Sequence, residues 1–156
     1  MQELVFGTYP SWSHLVVRLM LGAIFFAHGA QKVFGWFGGP GLTKTIAGFR
    51  QMNIPAAATV TAACIECFGG LAMIVGFLAR PVALGLIVVM LVAIKKVHAR
   101  HGFFLNWSLA QDKGHGFEFN LALIAMALSI VIGGAGVLSI DWLIAPLGGV
   151  DGGAAH

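Results

Sequence analysis

The sequence has few charged residues. Of its 156 residues only 10% are charged, nine basic and six acidic, whereas a soluble domain carries about 25%. This shortage excludes a solvated globular enzyme, a disordered tail and a nucleic-acid binder. The formal net charge of +3 comes from sparse, scattered basic residues, which is typical of loops beside a membrane.

The sequence also lacks the motifs of several enzyme classes. It has no glycine-rich phosphate loop, no dinucleotide-binding fingerprint, no c-type haem motif and no arguable Ser-His-Asp set. Flavin or nicotinamide chemistry would therefore lie on a partner, and we expect no covalently bound cofactor. His98, His101, His115 and Glu118 match no compact metal-binding spacing. We therefore expect no metal and interpret these histidines as interfacial, with a metal or haem ligand as the alternative.

Long apolar runs dominate the sequence instead. The mean hydropathy is +0.89, and a transmembrane helix needs about 20 mainly apolar residues. Four stretches meet that requirement, at about 13–34, 56–79, 81–98 and 118–140. The 22 glycines suit close packing of helices in lipid. The sequence therefore predicts an all-α membrane protein, one domain over 1–156, folded as a four-transmembrane-helix bundle.

Two loops of the predicted bundle have apolar patterns of their own. In the loop 35–55, Leu42, Ile46 and Phe49 recur at helical spacing and predict a short helix lying in the membrane interface. An irregular loop with anchoring aromatics is the alternative. The loop 99–117 is rich in aromatic residues and histidines, and we expect it to fold back as a lid on the end of the bundle.

Basic residues are concentrated at one end of the predicted bundle. That end carries these lysines and arginines: Lys32, Lys44, Arg50, Lys95, Lys96, Arg100 and Lys113. The loops of the other end have only Arg80. Because basic loops favour the cytoplasm, we expect an inner (plasma) membrane protein with both termini on the outer, periplasmic side.

Ionisable residues inside predicted spans are the main functional candidates, because they are costly in lipid. At about 100° per residue, Arg18, Phe25, His28 and Lys32 share one face of the first helix with glycines. Glu66 shares a face of small residues in the second helix. These faces should turn inward.

The sequence predicts that polar side chains converge on a pocket at the basic end. The residues expected there are His28, Lys32, Glu66, Lys95 and Glu118, with Phe25 and Trp36 among the aromatic walls. The alternative is an ion-paired set that only fixes the register of the helices.

A quinone head group suits such a pocket. It needs an apolar slot for its ring, hydrogen-bond donors at its carbonyls, and proton donors when it is reduced. We expect His28 and Lys32 to contact the head group, and His28 and Glu66 to be the catalytic residues that handle protons. Lys95 and Glu118 would shape the entrance. A lipid head group would suit the same lining.

Cys64 and Cys67 form a C-x-x-C inside the second predicted span. Thiol–quinone exchange is one interpretation. On a regular helix both cysteines would point about 100° or more away from Glu66, toward lipid. Apolar packing is therefore the interpretation that we favour.

A set of short motifs occurs along the chain from residue 13 to residue 144. In chain order they are Arg18 with Gly22 and Phe25, 28–32, 53–55, 66–70, Gly76, Arg80, Gly102 with Phe103, Glu118 and 134–141. In their order and spacing they resemble the DoxX family of small four-span membrane proteins. The chain departs from the family's closing motif at Ala135 and Val137, where proline and a basic residue are common. The resemblance implies a membrane subunit of a thiosulfate:quinone oxidoreductase, or a partner in thiol and oxidative-stress assemblies.

The leading functional hypothesis is therefore a quinone-interacting subunit of a sulfur- or thiol-linked membrane oxidoreductase system. The alternative is a non-enzymatic membrane anchor or assembly factor that recruits a soluble redox partner through the loops 35–55 and 99–117. A small-solute or lipid transporter is the third candidate. The expected partners are the lipid bilayer and a soluble redox protein, no nucleic acid, and a homo-oligomer is left open.

Overall fold

The computed structural model describes residues 5–111 and 113–145, and within them the regular secondary structure is helical. Three helices are long and apolar enough to cross a membrane, and a fourth apolar helix is shorter. In chain order the helices are α1 (Trp12–Val33), α2 (Gly41–Gln51), α3 (Ala56–Val75), α4 (Ala79–His101), α5 (Glu118–Gly133) and α6 (Ile140–Ile144). The predicted helical membrane bundle, with a short helix in the first loop, is confirmed.

Helix α1 packs closely against α3 because glycines remove side chains from their contact. A Cβ atom on Gly29 would lie 2.2 Å from the backbone nitrogen of Cys67, and one on Gly70 would lie 2.4 Å from that of Phe26. No real Cβ fits at those distances. The small residues predicted to serve close packing in lipid do so at this interface.

The apolar core lies where α1, α4 and α5 meet. Its fully buried large side chains include Leu21 and Phe25 of α1, Leu86 of α4 and Ile130 of α5. The opposite faces of these helices expose large apolar residues such as Val16, Val88 and Ile132. An apolar exterior of this kind suits helices whose solvent is lipid.

Glycines in the left-handed backbone region set where two helices end. α3 ends at Val75 because Gly76 (φ +70°) turns the chain, whereas the sequence placed the end near 79. α5 ends at Gly133 rather than near 140, because Gly134 (φ +79°) redirects the chain. In contrast, α4 continues to His101, beyond the expected end at 98.

Two single π turns interrupt the long helices, at Ile65–Gly69 in α3 and Ile94–His98 in α4. A π turn inserts one extra residue, so it changes which side chains face inward, and such turns are frequent at functional sites. In α3 both Glu66 and Cys67 are buried. The expectation that Cys67 faces lipid is therefore wrong: its side chain lies against α1 at Gly29.

Arg18 holds together the end of the bundle opposite the basic loops. The residue is 1% exposed. It donates to the carbonyl oxygens of Ala135 (3.0 Å), Leu138 (2.7 Å), Val137 (3.2 Å), Met73 (3.3 Å) and Ile74. These bonds connect the end of α3 to the segment after α5. Arg18 thus satisfies backbone carbonyls that a helix end leaves without partners.

Asp141 adds a second contact at the same end. Its carboxylate accepts hydrogen bonds from the backbone N–H groups of Leu78 and Ala79, each at 2.8 Å. These are orphan donors at the start of α4, where a carboxylate is favourable. Arg18 and Asp141 therefore make this end a structural closure, and the cavities described next lie at the other end.

Candidate functional site

A cavity of about 670 Å³ lies at the basic end of the bundle. It is bounded by α1, α4, α5 and the loop before α5, with Glu66 of α3 on one side. Its walls are mainly apolar and include Ile24, Phe25, Met90, Trp107, Phe119 and Leu123. Its polar lining includes His28, Lys32, Glu66, His98, Asn106 and His115. A volume of this size, with few polar groups in an apolar wall, is typical of a small-molecule site.

Lys32 and Glu66 form an ion pair on the wall of this cavity. Lys32 Nζ donates to both carboxylate oxygens of Glu66, at 2.6 Å to Oε1 and in closer contact to Oε2. The Glu66 side chain is 3% exposed and that of Lys32 is 25% exposed. The last turn of α1 positions the lysine, and the π turn of α3 positions the acid.

A buried ion pair of this kind often adds little to stability. Desolvating two charges is expensive, and apolar residues of similar size often replace a buried pair at no cost or with a gain in stability. Here the pair lies on a cavity wall, where its Nζ–H groups and carboxylate oxygens can reach a ligand. A ligand that presents carbonyl oxygens would find donors there.

His28 lies one helical turn before Lys32 and lines the same cavity. Its side chain is exposed. Among the residues that the structure describes, none forms a hydrogen bond with its ring. Both ring nitrogens therefore remain able to bond a ligand. His28, Lys32, Glu66 and Phe25 are the predicted site residues that the structure brings together at one cavity.

The other three predicted site residues lie outside this cavity. Trp36 is 52% exposed and packs against Phe34, with ring centroids 5.0 Å apart. Lys95 is exposed and lines neither cavity, whereas Lys96 and His98 of the same π turn each line one. Lys95 and Trp36 were predicted to lie at the pocket with His28, Lys32 and Glu66, and the structure places both outside it.

Glu118 also has a different place from the one predicted. Its carboxylate accepts a hydrogen bond of 2.8 Å from the backbone N–H of Leu105. Glu118 therefore anchors the loop that covers the cavity and does not line the cavity itself. The anchored loop supplies several lining residues, including Trp107 and His115, as expected for a lid.

Asn106 organises this loop from inside. Its side chain is 5% exposed, and its amide donates to the carbonyl oxygens of Ala110 and Lys113. Its side-chain oxygen accepts from the hydroxyl of Ser108 at 3.0 Å. Sequence reasoning missed this role, since a lone asparagine in a loop has no distinguishing pattern.

Two further histidines line the cavity with tautomers assigned from their hydrogen bonds. His98 Nδ1 lies 2.9 Å from the carbonyl oxygen of His115, so it must donate, and the neutral ring keeps an acceptor at Nε2. His115 Nδ1 accepts from the backbone N–H of Asn106 at 3.3 Å, so the neutral ring carries its proton on Nε2. One ring thus offers an acceptor and the other a donor.

A second, smaller cavity of about 300 Å³ adjoins the first. It is bounded by α2, α3 and α4, with Lys32 of α1 on one side, and its lining is mainly apolar. Lys32, Glu66 and Ala93 line both cavities. The ion pair therefore lies at the boundary between a larger cavity with several polar groups and a smaller apolar one.

The described residues form no metal-binding cluster. Over 5–111 and 113–145, no group of three histidine, cysteine, aspartate or glutamate side chains could hold a metal ion. Cys64 and Cys67 are both free thiols.

Most of the membrane bundle matches a family profile. The DoxX family profile covers residues 13–99, more than half of the chain. The matched segment extends from the start of α1 into the last turn of α4, and so includes both members of the ion pair. Comparisons with curated proteins and with solved structures give no significant match. The chain therefore belongs to the DoxX family of membrane proteins.

Proposed function

We propose that this membrane protein is a quinone-interacting subunit of a sulfur- or thiol-linked oxidoreductase system. The observation that carries the proposal is the Lys32–Glu66 ion pair on the wall of a mainly apolar cavity of about 670 Å³. The apolar wall suits the ring of a quinone. The polar groups at one side suit its carbonyl oxygens.

The cavity residues have distinct roles in this proposal. Lys32 and His28 donate hydrogen bonds to the quinone carbonyls, and the rings of Phe25 and Phe119 flank the head group. Glu66 holds the Lys32 ammonium in place while the cavity is empty of ligand. When the quinone is reduced, negative charge develops on its oxygens, and the ammonium stabilises that charge.

Reduction of a quinone to a quinol takes up two electrons and two protons. A thiol reductant on a partner supplies the electrons when two thiols become a disulfide, with the release of two protons. Lys32 transfers one proton to one reduced oxygen, and His28 transfers the second proton to the other. The two protons released by the thiols replace them, and Glu66, His98 and His115, which line the same cavity, handle that return.

The proposed orientation places the cavity end on the cytoplasmic side of the plasma membrane. The basic residues at that end are Lys32, Lys44, Arg50, Lys95, Lys96, Arg100 and Lys113. The positive-inside tendency then puts both termini on the outer side. Labelling of a cysteine introduced at Lys113 in intact cells tests this: no labelling by an impermeant reagent is expected, and labelling would reverse the orientation.

Quinone binding in nanodiscs tests the proposed site. Lys32→Met would leave a quinone carbonyl oxygen in the cavity without its hydrogen-bond donor. Such a loss costs about 1.4 kcal/mol, so the substitution should weaken quinone binding about tenfold. Lys95→Met is the matched control, because Lys95 is exposed and lies outside both cavities. Equal affinities for wild type and both variants would refute the site, and no binding by wild type would refute the function.

A non-enzymatic anchor for a soluble redox protein remains the second candidate. It is favoured by Phe103 and Phe104 of the loop, which are 46% and 70% exposed and line neither cavity. Affinity purification from membranes distinguishes the two functions. A soluble partner lost on Phe104→Ser and retained on Glu66→Gln, without retained quinone, would favour the anchor.

A further inference from the structure

The smaller cavity is a slot between the first half of α3 and the last half of α4. These helices pack closely only from the π turn of α3 onward, which leaves the slot open at the basic end. Its walls include Ala58 and Ala62 of α3 and Val88 and Val92 of α4. The slot is therefore apolar on both sides.

The slot opens toward the surrounding lipid. Val88 is 59% exposed and Val92 is 45% exposed, and Ala58 on the facing helix is exposed as well. All three belong to the spanning helices α3 and α4. At its inner end, the slot meets the larger cavity at Lys32, Glu66 and Ala93.

We propose that the slot holds the first isoprenoid units of the quinone tail while the head group lies in the larger cavity. This inference rests on the proposed function. A head group at Lys32 needs an adjoining apolar exit for its tail, and the slot is apolar, begins at that ion pair and ends at lipid-facing valines. The tail passes Ala93 and leaves between α3 and α4.

Two quinones and a pair of adjacent alanines test the inference. The probes are a benzoquinone without a tail and the same ring with a short isoprenoid tail. Binding in nanodiscs is followed by quenching of tryptophan fluorescence, since Trp107 lines the larger cavity. Ala58→Phe fills the slot, whereas Ala57→Phe places the same ring on the same exposed helix turn outside both cavities.

Ala58→Phe should weaken binding of the tailed quinone about tenfold, which is about 1.4 kcal/mol, because the phenyl ring takes the space that the tail would occupy. It should leave binding of the tailless ring unchanged, and Ala57→Phe should change neither. All variants are compared in the same lipid mixture, so that partitioning of the tail into the bilayer contributes equally to every measured affinity. If Ala58→Phe does not fold, Thr61→Phe, also exposed and on the slot wall, replaces it.

Other outcomes separate the two proposals. If the tailless ring binds and Ala58→Phe leaves the tailed quinone unaffected, the tail site is refuted and the head-group site stands. If Ala58→Phe instead releases a co-purified phospholipid and leaves both quinones bound, the slot holds an acyl chain and the inference is wrong. If neither quinone binds to the wild type, both proposals fail.

Discussion

Replacing Lys32 should lower the free energy of unfolding more than replacing its ion-pair partner Glu66. Lys32→Met leaves the Glu66 carboxylate, which is 3% exposed, without its partner, and loss of one member of a buried pair costs about 3–5 kcal/mol. Glu66→Gln leaves an ammonium on a side chain that is 25% exposed and can reach water. Its cost should therefore be lower, about 1–2 kcal/mol after screening.

The double variant Lys32→Met, Glu66→Gln should recover most of the lost stability. It removes both charges and leaves neither one stranded, so we expect its free energy of unfolding within about 1 kcal/mol of the wild type. The assay is equilibrium unfolding in mixed micelles, followed by circular dichroism, for all four members of the cycle.

Additive single effects would refute this reasoning, because they would mean that the two side chains do not interact in the folded state. Equal costs for the two single variants would contradict the part of the argument that depends on exposure. The same cycle separates function from register: the double variant should fold and yet bind quinone more weakly than the wild type.

Two further predictions concern packing and the closed end of the bundle. Gly29→Ala puts a Cβ atom 2.2 Å from the Cys67 nitrogen and should lower the free energy of unfolding by about 1–3 kcal/mol. Gly48→Ala, with open space around it, is the control and should not lower it. An unchanged free energy of unfolding for Gly29→Ala would contradict the close approach of α1 and α3. Arg18→Met leaves backbone carbonyls unsatisfied and should lower the melting temperature without changing quinone affinity, as thermal unfolding and the binding assay will show. A loss of affinity with full stability would place Arg18 in the binding site instead.

The positions of the membrane helices follow from the sequence because long apolar runs have few other stable arrangements in lipid. The ends of the helices were harder to predict. Gly76 and Gly134 end α3 and α5 by adopting positive φ, and among 22 glycines nothing local marks those two. The short helix Gly41–Gln51 was predictable from the spacing of its apolar residues.

Helical periodicity worked for α1 because that helix is regular. It placed His28 and Lys32 on one face, and both line the cavity. In α3 the π turn at Ile65–Gly69 shifts the register, so a regular wheel put Cys67 in lipid. The prediction that Glu66 faces inward still holds, because the extra residue of the π turn allows Glu66 and Cys67 both to be buried.

Arg18 illustrates what a helical wheel leaves out. The wheel put it on the same face as Lys32, but the two lie about 21 Å apart along the helix at 1.5 Å per residue. Arg18 therefore belongs to the opposite end, where it binds backbone carbonyls. Which carbonyls approach it depends on the path of the chain after α5, which no local pattern gives.

The most direct test of the account is a structure of the protein in nanodiscs with an excess of a tailed quinone. We expect the quinone ring in the larger cavity, with one carbonyl oxygen about 3 Å from Lys32 Nζ and the tail directed past Ala93. A quinone located elsewhere on the bundle, with the Lys32–Glu66 cavity holding only lipid or water, would contradict it.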